Sequence, residues 1–463
     1  MDERLQQFAA SFVASTRDYV FVRPEDSLLI LRPNRVHFLN RTATAMLHAL
    51  YAQEPVDAAG VVAGVAQRYG VEQARVEHDL NALLQSLALL LNDRTGCAPA
   101  VKCTAYGSHP RMLPVLSEIA LTYRCQNRCF FCYASAPERG RRGDEMTTAQ
   151  VRAVLDKIVY QARVPSVSFT GGEPTLRDDL PELVAHARSR GLRVNLITNG
   201  LRCADGAYVA RLAEAGLASA QVSLEAGDAE THDAVVANPG AFERTLQGVR
   251  NLKAAGIHTH TNTTINRRNL HALPALIDLL AEMGQEYLSM NMVIRTGEAV
   301  GVPDIGYGEI GEIVLGLKAR ANERGLRFVW YSPVPYCLLN PVAHELGSQS
   351  CSAADGLLSI APDGQVLPCS SFERGFGNLL REDFAAIWRR RTARYWRDKE
   401  FLPPGCRGCD LSDVCCGACP LYWDEQRDFR EIAPFLRPTS RWEQLVWRLK
   451  RNALGRVKGV GVS

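Results

Sequence analysis

The sequence predicts an α/β protein: a partial (β/α)6 barrel, preceded by a small strand-and-helix module and followed by a cysteine-rich extension. Three observations lead there. Six short β-rich runs alternate with helical stretches between residues 116 and 330. A separate strand-then-helix pattern occupies residues 19–93. Eight of the 14 cysteines lie between 337 and 419.

"SEIALTYRC" precedes the helical "TTAQVRAVLDKIVYQA", "SVSFTGG" precedes "DLPELVAHARSRG", and "RVNLITNG" precedes "AYVARLAEAG". "SAQVSLEA", "HTHTNTTI" and "YLSMNMVI" open three further units. Regular alternation of this kind predicts a parallel sheet with helices over it. The right-handed crossover rule favours a curved or barrel-like layer, and six strands are too few to close an eight-stranded barrel.

In the N-terminal module, "YVFVRPEDSLLILRPNRVHFLNRTA" holds short apolar runs with turns at Pro24 and Pro33-Asn34, a hairpin or short meander. "TATAMLHALYA", "VDAAGVVAGVAQRYG" and "QARVEHDLNALLQSLALLL" read as amphipathic helices, the last two ended by Gly70 and Asn92. No polar cluster stands out, so the module reads as a binding unit. Residues 94–115, rich in Gly, Pro and small polar residues, read as a linker. Residues 437–463 read as a basic helix and tail, with Trp442, Leu445, Val446 and Leu449 at helical spacing against the body.

Composition narrows the function. The 463 residues show no secretory signal and no apolar run long enough to span a bilayer, so a soluble, cytoplasmic protein without integral membrane association is expected. Lys and Arg total 53 against 50 Asp and Glu, which gives no case for nucleic-acid binding. Fourteen cysteines in a reducing compartment point to metal or catalytic work rather than disulfides. Cys97, Cys103 and Cys203 are scattered; the rest form two groups.

The first group is Cys125, Cys129 and Cys132 in "LTYRCQNRCFFCYAS", directly after the first barrel strand. Functional residues of such folds gather at the C-terminal ends of strands. "TGGEPT", "TNG" and "SLEAGD" follow the next three strands and converge on the same rim. A structural zinc site wants four ligands, and no fourth Cys or His is near. Three thiolates suit an iron–sulfur cluster that keeps one iron open.

The spacing CxxxCxxC in "CQNRCFFC", with Phe131 before the third cysteine, resembles the radical S-adenosylmethionine (radical SAM) enzymes. "TGGEP" resembles that family's GGE motif, which implies SAM contacts from Gly171, Gly172 and Glu173, the glycines letting backbone approach the ligand. "ITNG" and "VSLEAGDAETHD" resemble its ribose- and carboxylate-contacting loops, which implicates Asn199, Ser223 and Glu225, the last standing where many relatives carry Asp. The resemblance implies a [4Fe–4S] cluster with an open iron, reductive cleavage of SAM, and hydrogen abstraction by a 5′-deoxyadenosyl radical. It also implies an electron donor such as flavodoxin or ferredoxin.

In the second group, "CRGCDLSDVCCGACP" sets Cys406, Cys409, Cys415 and Cys419 at CxxCx5Cx3C, and Cys351, Gly364 and Cys369 give Cx12Gx4C. Residues 331–436 resemble the SPASM extension, which carries one or two auxiliary iron–sulfur clusters. The family pattern implies one cluster on Cys337, Cys351, Cys369 and Cys419, and a second on Cys406, Cys409 and Cys415. No cysteine follows Cys419 to complete the second; Asp424, Cys416 or an open site are the alternatives. A zinc knuckle on Cys406, Cys409, Cys415 and Cys419 is the plainer reading of the same spacing. Residues 19–93 resemble the PqqD-like peptide-recognition fold, a winged-helix-like unit that binds a leader peptide as an added strand. Together these imply maturation of a ribosomally made precursor peptide through its leader segment, by thioether or carbon–carbon crosslinking or by decarboxylation. The alternatives are a tetrapyrrole side-chain decarboxylase acting on haem precursors and a non-catalytic peptide chaperone. No motif identifies a general acid or base; Tyr133, Glu225, Tyr331 and Asp424 are the candidates for the cavity wall.

Overall fold

The computed structural model describes residues 3–32, 35–92, 101–102, 113–141, 143–347, 350–412 and 414–455. The turn expected at Pro33-Asn34, Cys97, Cys103, most of the expected linker and the tail after Gly455 lie outside the described residues. The chain forms two units, Met1–Leu116 and Ser117–Ser463.

In the first unit, strands β1 (Val20–Arg23), β2 (Leu28–Leu31) and β3 (Arg35–Leu39) form an antiparallel meander, and β4 (Val101–Lys102) pairs with Phe38 and Leu39 of β3. Side chains alternate between sheet faces. Leu29 and Leu31 therefore enter one core with the helices, while Leu28 and Ile30 pack on Val115 across the other face. Three helices follow, Arg41–Ala52, Ala58–Tyr69 and Gln73–Leu91. Asn40 caps the first by accepting from the Ala43 N–H at 2.8 Å. Gly70 ends the second in the left-handed region (φ 64°), its N–H returned to the Ala66 carbonyl. A helix at Glu3–Thr16, absent from the sequence reading, adds Leu5, Ala9, Phe12 and Val13 to this core.

The second unit is built on one ten-stranded sheet. Strands β5 (Leu116–Thr122), β6 (Ser166–Gly171), β7 (Arg193–Thr198), β8 (Ser219–Ser223), β9 (His258–Ile265), β10 (Tyr287–Met292) and β11 (Arg327–Trp330) pair parallel, each with the next. The six expected strand–helix units are present, and β11 adds a seventh parallel strand. Buried polar side chains such as Thr261, Thr263 and Ser289 line these strands in part, and apolar ones fill the layer beneath the helices. Leu288, Met290 and Trp330, for example, share a core with Leu276, Ile277 and Leu280 of the helix Leu273–Glu282.

The sheet does not stop at β5. On its other edge it continues into β12 (Leu357–Ile360), β13 (Gln365–Leu367) and β14 (Gly377–Asn378), a meander from the cysteine-rich extension. The helix Arg441–Leu454 begins with a capping box, Ser440 with Glu443. It docks through Trp447, whose indole N–H donates to the Phe401 carbonyl at 3.2 Å, while Trp442, Leu445 and Leu449, expected against the body, are exposed because Trp447 lies on the other face. Among the described residues, no helix is long and apolar enough to cross a membrane.

Candidate active site

The strand ends after β5 to β11 converge. Cys125, Cys129 and Cys132, Gly171 and Gly172, Asn199, Ser223 and Glu225, Thr264 and Tyr331 all line one cavity of about 460 Å³. The cysteine loop is held to its surroundings by backbone. The Arg128 N–H donates to the Val236 carbonyl at 2.9 Å, and the Glu298 N–H to the Cys132 carbonyl at 3.0 Å. Asn238 donates to the Asn127 side-chain oxygen at 2.7 Å.

Burial pushes all three thiols up, Cys125 to about 12, and the neighbouring carboxylates and thiols push the same way. Three thiolates held this close are unfavourable without a positive partner, which is what iron supplies. Among the described residues no three His, Cys, Asp or Glu side chains converge tightly enough to grip a single metal ion. A cubane, by contrast, takes its thiolates at separate corners. The donor set fits a cluster.

The two glycines line the cavity and also let two stretches of backbone meet. A Cβ on Gly171 (φ 128°) would lie 2.1 Å from the Thr122 carbonyl oxygen, and one on Gly172 2.5 Å from the carbonyls of Tyr123 and Arg124. The Gly172 and Glu173 N–H groups donate to Thr122 and Arg124 at 2.8 Å each. Their bareness lets the loop after β6 lie against the root of the cysteine loop.

Glu173, expected to contact the cofactor, is turned inward and does not line the cavity. It is fully buried. Its Oε1 accepts from the Thr175 N–H at 3.0 Å and from the hydroxyls of Thr175 and Thr198 at 2.6 and 2.7 Å. Its Oε2 accepts from the Asn199 N–H at 2.7 Å. The carboxyl clamps Asn199, whose own amide sits 3.9 Å from the Cys125 sulfur and 3.3 Å from Gln126 Oε1.

Glu225 faces the cavity with one oxygen held by the Thr264 N–H at 2.9 Å, and burial raises its carboxyl to about 8. His232 accepts from the Glu225 N–H at 3.1 Å, and burial lowers it to about 4, so it is a neutral structural acceptor. Of the other candidates, Tyr133 and Tyr331 line the cavity. Asp424 does not; it is ion-paired with Arg451 at 3.0 Å.

The opposite wall comes from the extension. Cys351, Cys369 and Cys419 line the same cavity as the first cysteine group. The Cys419 N–H donates to the Tyr307 hydroxyl at 3.1 Å, and the Tyr307 ring packs on Tyr422 with centroids 4.0 Å apart. Glu118, which the sequence reading missed inside an apolar strand, also lines the cavity. It ties β5 to the extension by accepting from Ser359 Oγ at 2.7 Å and the Ser370 N–H at 3.0 Å. Burial raises its carboxyl. Cys337 departs from its expected place beside Cys351, Cys369 and Cys419. The preceding residue, Tyr336, donates its N–H to the Cys415 sulfur at 3.4 Å, which carries Cys337 to the Cys406–Cys415 side.

Known proteins support this architecture. The sequence model of the Radical SAM superfamily matches residues 119–291, that of the SPASM iron-sulfur cluster-binding domain residues 351–410, and that of coenzyme PQQ synthesis protein D (PqqD) residues 25–89. An AdoMet-dependent heme synthase of Nitratidesulfovibrio vulgaris is 30% identical over 337 residues, 68% of this chain and 90% of the relative. The chain belongs to the radical SAM superfamily. A second relative, the PqqA peptide cyclase of Granulibacter bethesdensis, is 30% identical over 317 residues, 65% of this chain and 80% of its own. In fold, the chain is similar to Streptococcus suis SuiB bound to precursor peptide SuiA, with a TM-score of 0.65 at 15% identity over 88% of this chain and 96% of that one. As a radical SAM enzyme with a SPASM domain, the protein uses SAM with a [4Fe–4S] cluster and carries auxiliary iron–sulfur centres.

Proposed function

We propose that this radical SAM enzyme modifies a ribosomally made peptide that docks by its leader on the N-terminal module. The observation that carries the reading is the module itself. It matches PqqD over residues 25–89, and its β3 already takes up an extended segment, Val101–Lys102, as an added antiparallel strand. A leader bound along this sheet would use the same backbone pairing.

On this reading Cys125, Cys129 and Cys132 hold the SAM cluster, with Gly171, Gly172, Asn199, Ser223 and Glu225 around the SAM. When bound, the cluster and SAM supply the electron and the 5′-deoxyadenosyl radical that takes a hydrogen from the substrate. The chain does the rest. Glu173 fixes Asn199 beside the cysteine loop, the Thr264 N–H aims the Glu225 carboxyl, and apolar packing under Tyr307 and Tyr422 shields the far wall from water. A soluble reductase such as flavodoxin or ferredoxin supplies the electron.

The heme synthase relatives favour a second reading, decarboxylation of a tetrapyrrole side chain. The test is one anaerobic assay of the reconstituted full chain with dithionite and SAM. It is run against a leader-bearing peptide encoded beside the gene and against a propionate-bearing tetrapyrrole. Deoxyadenosine formed together with a mass change in the peptide is the expected result. A mass change in the tetrapyrrole alone overturns the peptide reading.

A further inference from the structure

The cysteines of the extension divide in space in a way that their order along the chain does not suggest. We propose that each auxiliary centre is closed by four thiolates of this chain: Cys337 joins Cys406, Cys409 and Cys415 in one, and Cys416 joins Cys351, Cys369 and Cys419 in the other. This assignment is independent of the substrate and rests only on the auxiliary centres being iron–sulfur clusters. The matched iron-sulfur segment, 351–410, contains neither Cys337 nor Cys416.

The first set is assembled by two short turns and one backbone contact. The Cys409 N–H returns to the Cys406 carbonyl at 3.3 Å and the Cys415 N–H to the Leu411 carbonyl at 2.7 Å, which coils the loop on itself. The Tyr336 N–H lies on the Cys415 sulfur at 3.4 Å and so delivers Cys337 to that loop. Asp424, the oxygen ligand the sequence offered for the vacant place, is held by Arg451 instead.

The second set meets across the cavity wall. The Cys351 N–H lies 2.5 Å from the Cys416 sulfur. Cys416 is buried. Cys369 lines the same cavity as Cys351 and Cys419. The adjacent residues Cys415 and Cys416 thus diverge: one thiol faces the Tyr336 N–H and the other the Cys351 N–H. A centre with four thiolates has no open iron for a substrate, so both centres act as electron carriers rather than as substrate ligands.

The test counts iron and sulfide, with Mössbauer spectra, in the full chain carrying Cys125→Ala, Cys129→Ala and Cys132→Ala, so that only auxiliary iron remains. That parent should hold about eight irons per chain. Adding Cys406→Ala with Cys409→Ala should leave about four, and adding Cys351→Ala with Cys369→Ala should also leave about four. Cys337→Ala is then expected to remove nothing further from the Cys406/Cys409 variant and to degrade the centre that survives in the Cys351/Cys369 variant. Cys416→Ala should show the opposite pattern. Circular dichroism and elution volume confirm folding, and the serine replacement is measured wherever alanine gives an aggregate. Iron loss on Cys337→Ala in the Cys406/Cys409 background, or a Cys416→Ala change that is silent in both backgrounds, overturns the assignment.

Discussion

Replacing Glu173 with alanine should loosen the SAM pocket without touching its wall. The carboxyl is fully buried and accepts four hydrogen bonds, two of them from the backbone N–H groups of Thr175 and Asn199. The two threonine hydroxyls can rotate to other acceptors; the backbone groups cannot. Each buried N–H left without a partner costs about 1–3 kcal/mol, so Glu173→Ala should cost roughly 2–6 kcal/mol. With a urea slope of about 3 kcal/mol/M, a loss near 3 kcal/mol moves the unfolding midpoint down by about 1 M. The assay is urea unfolding of the full chain by tryptophan fluorescence, together with SAM binding by calorimetry. Asn199 loses its anchor, so SAM affinity should fall along with stability. An unchanged midpoint and an unchanged SAM affinity would refute the clamp. A loss of affinity at full stability would mean that Glu173 touches the ligand after all.

Other expectations follow from the same geometry. Gly171→Ala forces a Cβ to within 2.1 Å of the Thr122 carbonyl; the cysteine loop should shift and reconstituted iron fall by about four per chain, read by iron analysis. In the cluster-free protein Glu225 has a folded pKa of about 8 against 4.5 in the unfolded chain. The folded state therefore holds the extra proton, and stability should fall as pH rises from 4.5 to 8, at up to about 1.4 kcal/mol per unit, then level off. Glu225→Gln should flatten that slope in urea midpoints measured at pH 5.5 and 8; a slope left unchanged sinks the argument. Glu118→Ala strands the Ser370 N–H beside Cys369, and should alter the Mössbauer signature of the Cys369 centre while leaving that of the Cys125 cluster intact.

The parallel layer was legible because a strand of five to eight residues followed by a helix repeats six times, a local pattern that burial on both faces enforces. β11 escaped because "RFVW" is four residues long and follows a helix with no glycine-rich loop after it to mark a site. Cys125, Cys129 and Cys132 were legible as a set because their spacing is itself short-range. Cys337 was not, because its company is decided by a contact between Tyr336 and Cys415, 79 positions apart. Glu173 shows a different limit. The motif names the residue, but only the fold reveals that its carboxyl points under the pocket floor. Glu118 was hidden because the single polar residue in an apolar strand looks incidental until Ser359 and Ser370 arrive beside it.

The continuity of the sheet across β5 has a mechanical meaning. Cys125 stands three positions beyond the end of β5 and Cys369 two positions beyond the end of β13, and both strands belong to one hydrogen-bonded sheet with only β12 between them. Such a sheet resists bending in its own plane, so the gap between the SAM-side cysteines and the auxiliary wall is a fixed span rather than a pair of jaws. Whatever is bound between them must fit that span. Evolution can change what is accepted only by recutting the loops at its rim, as a lathe with a rigid bed changes its work by changing the tool.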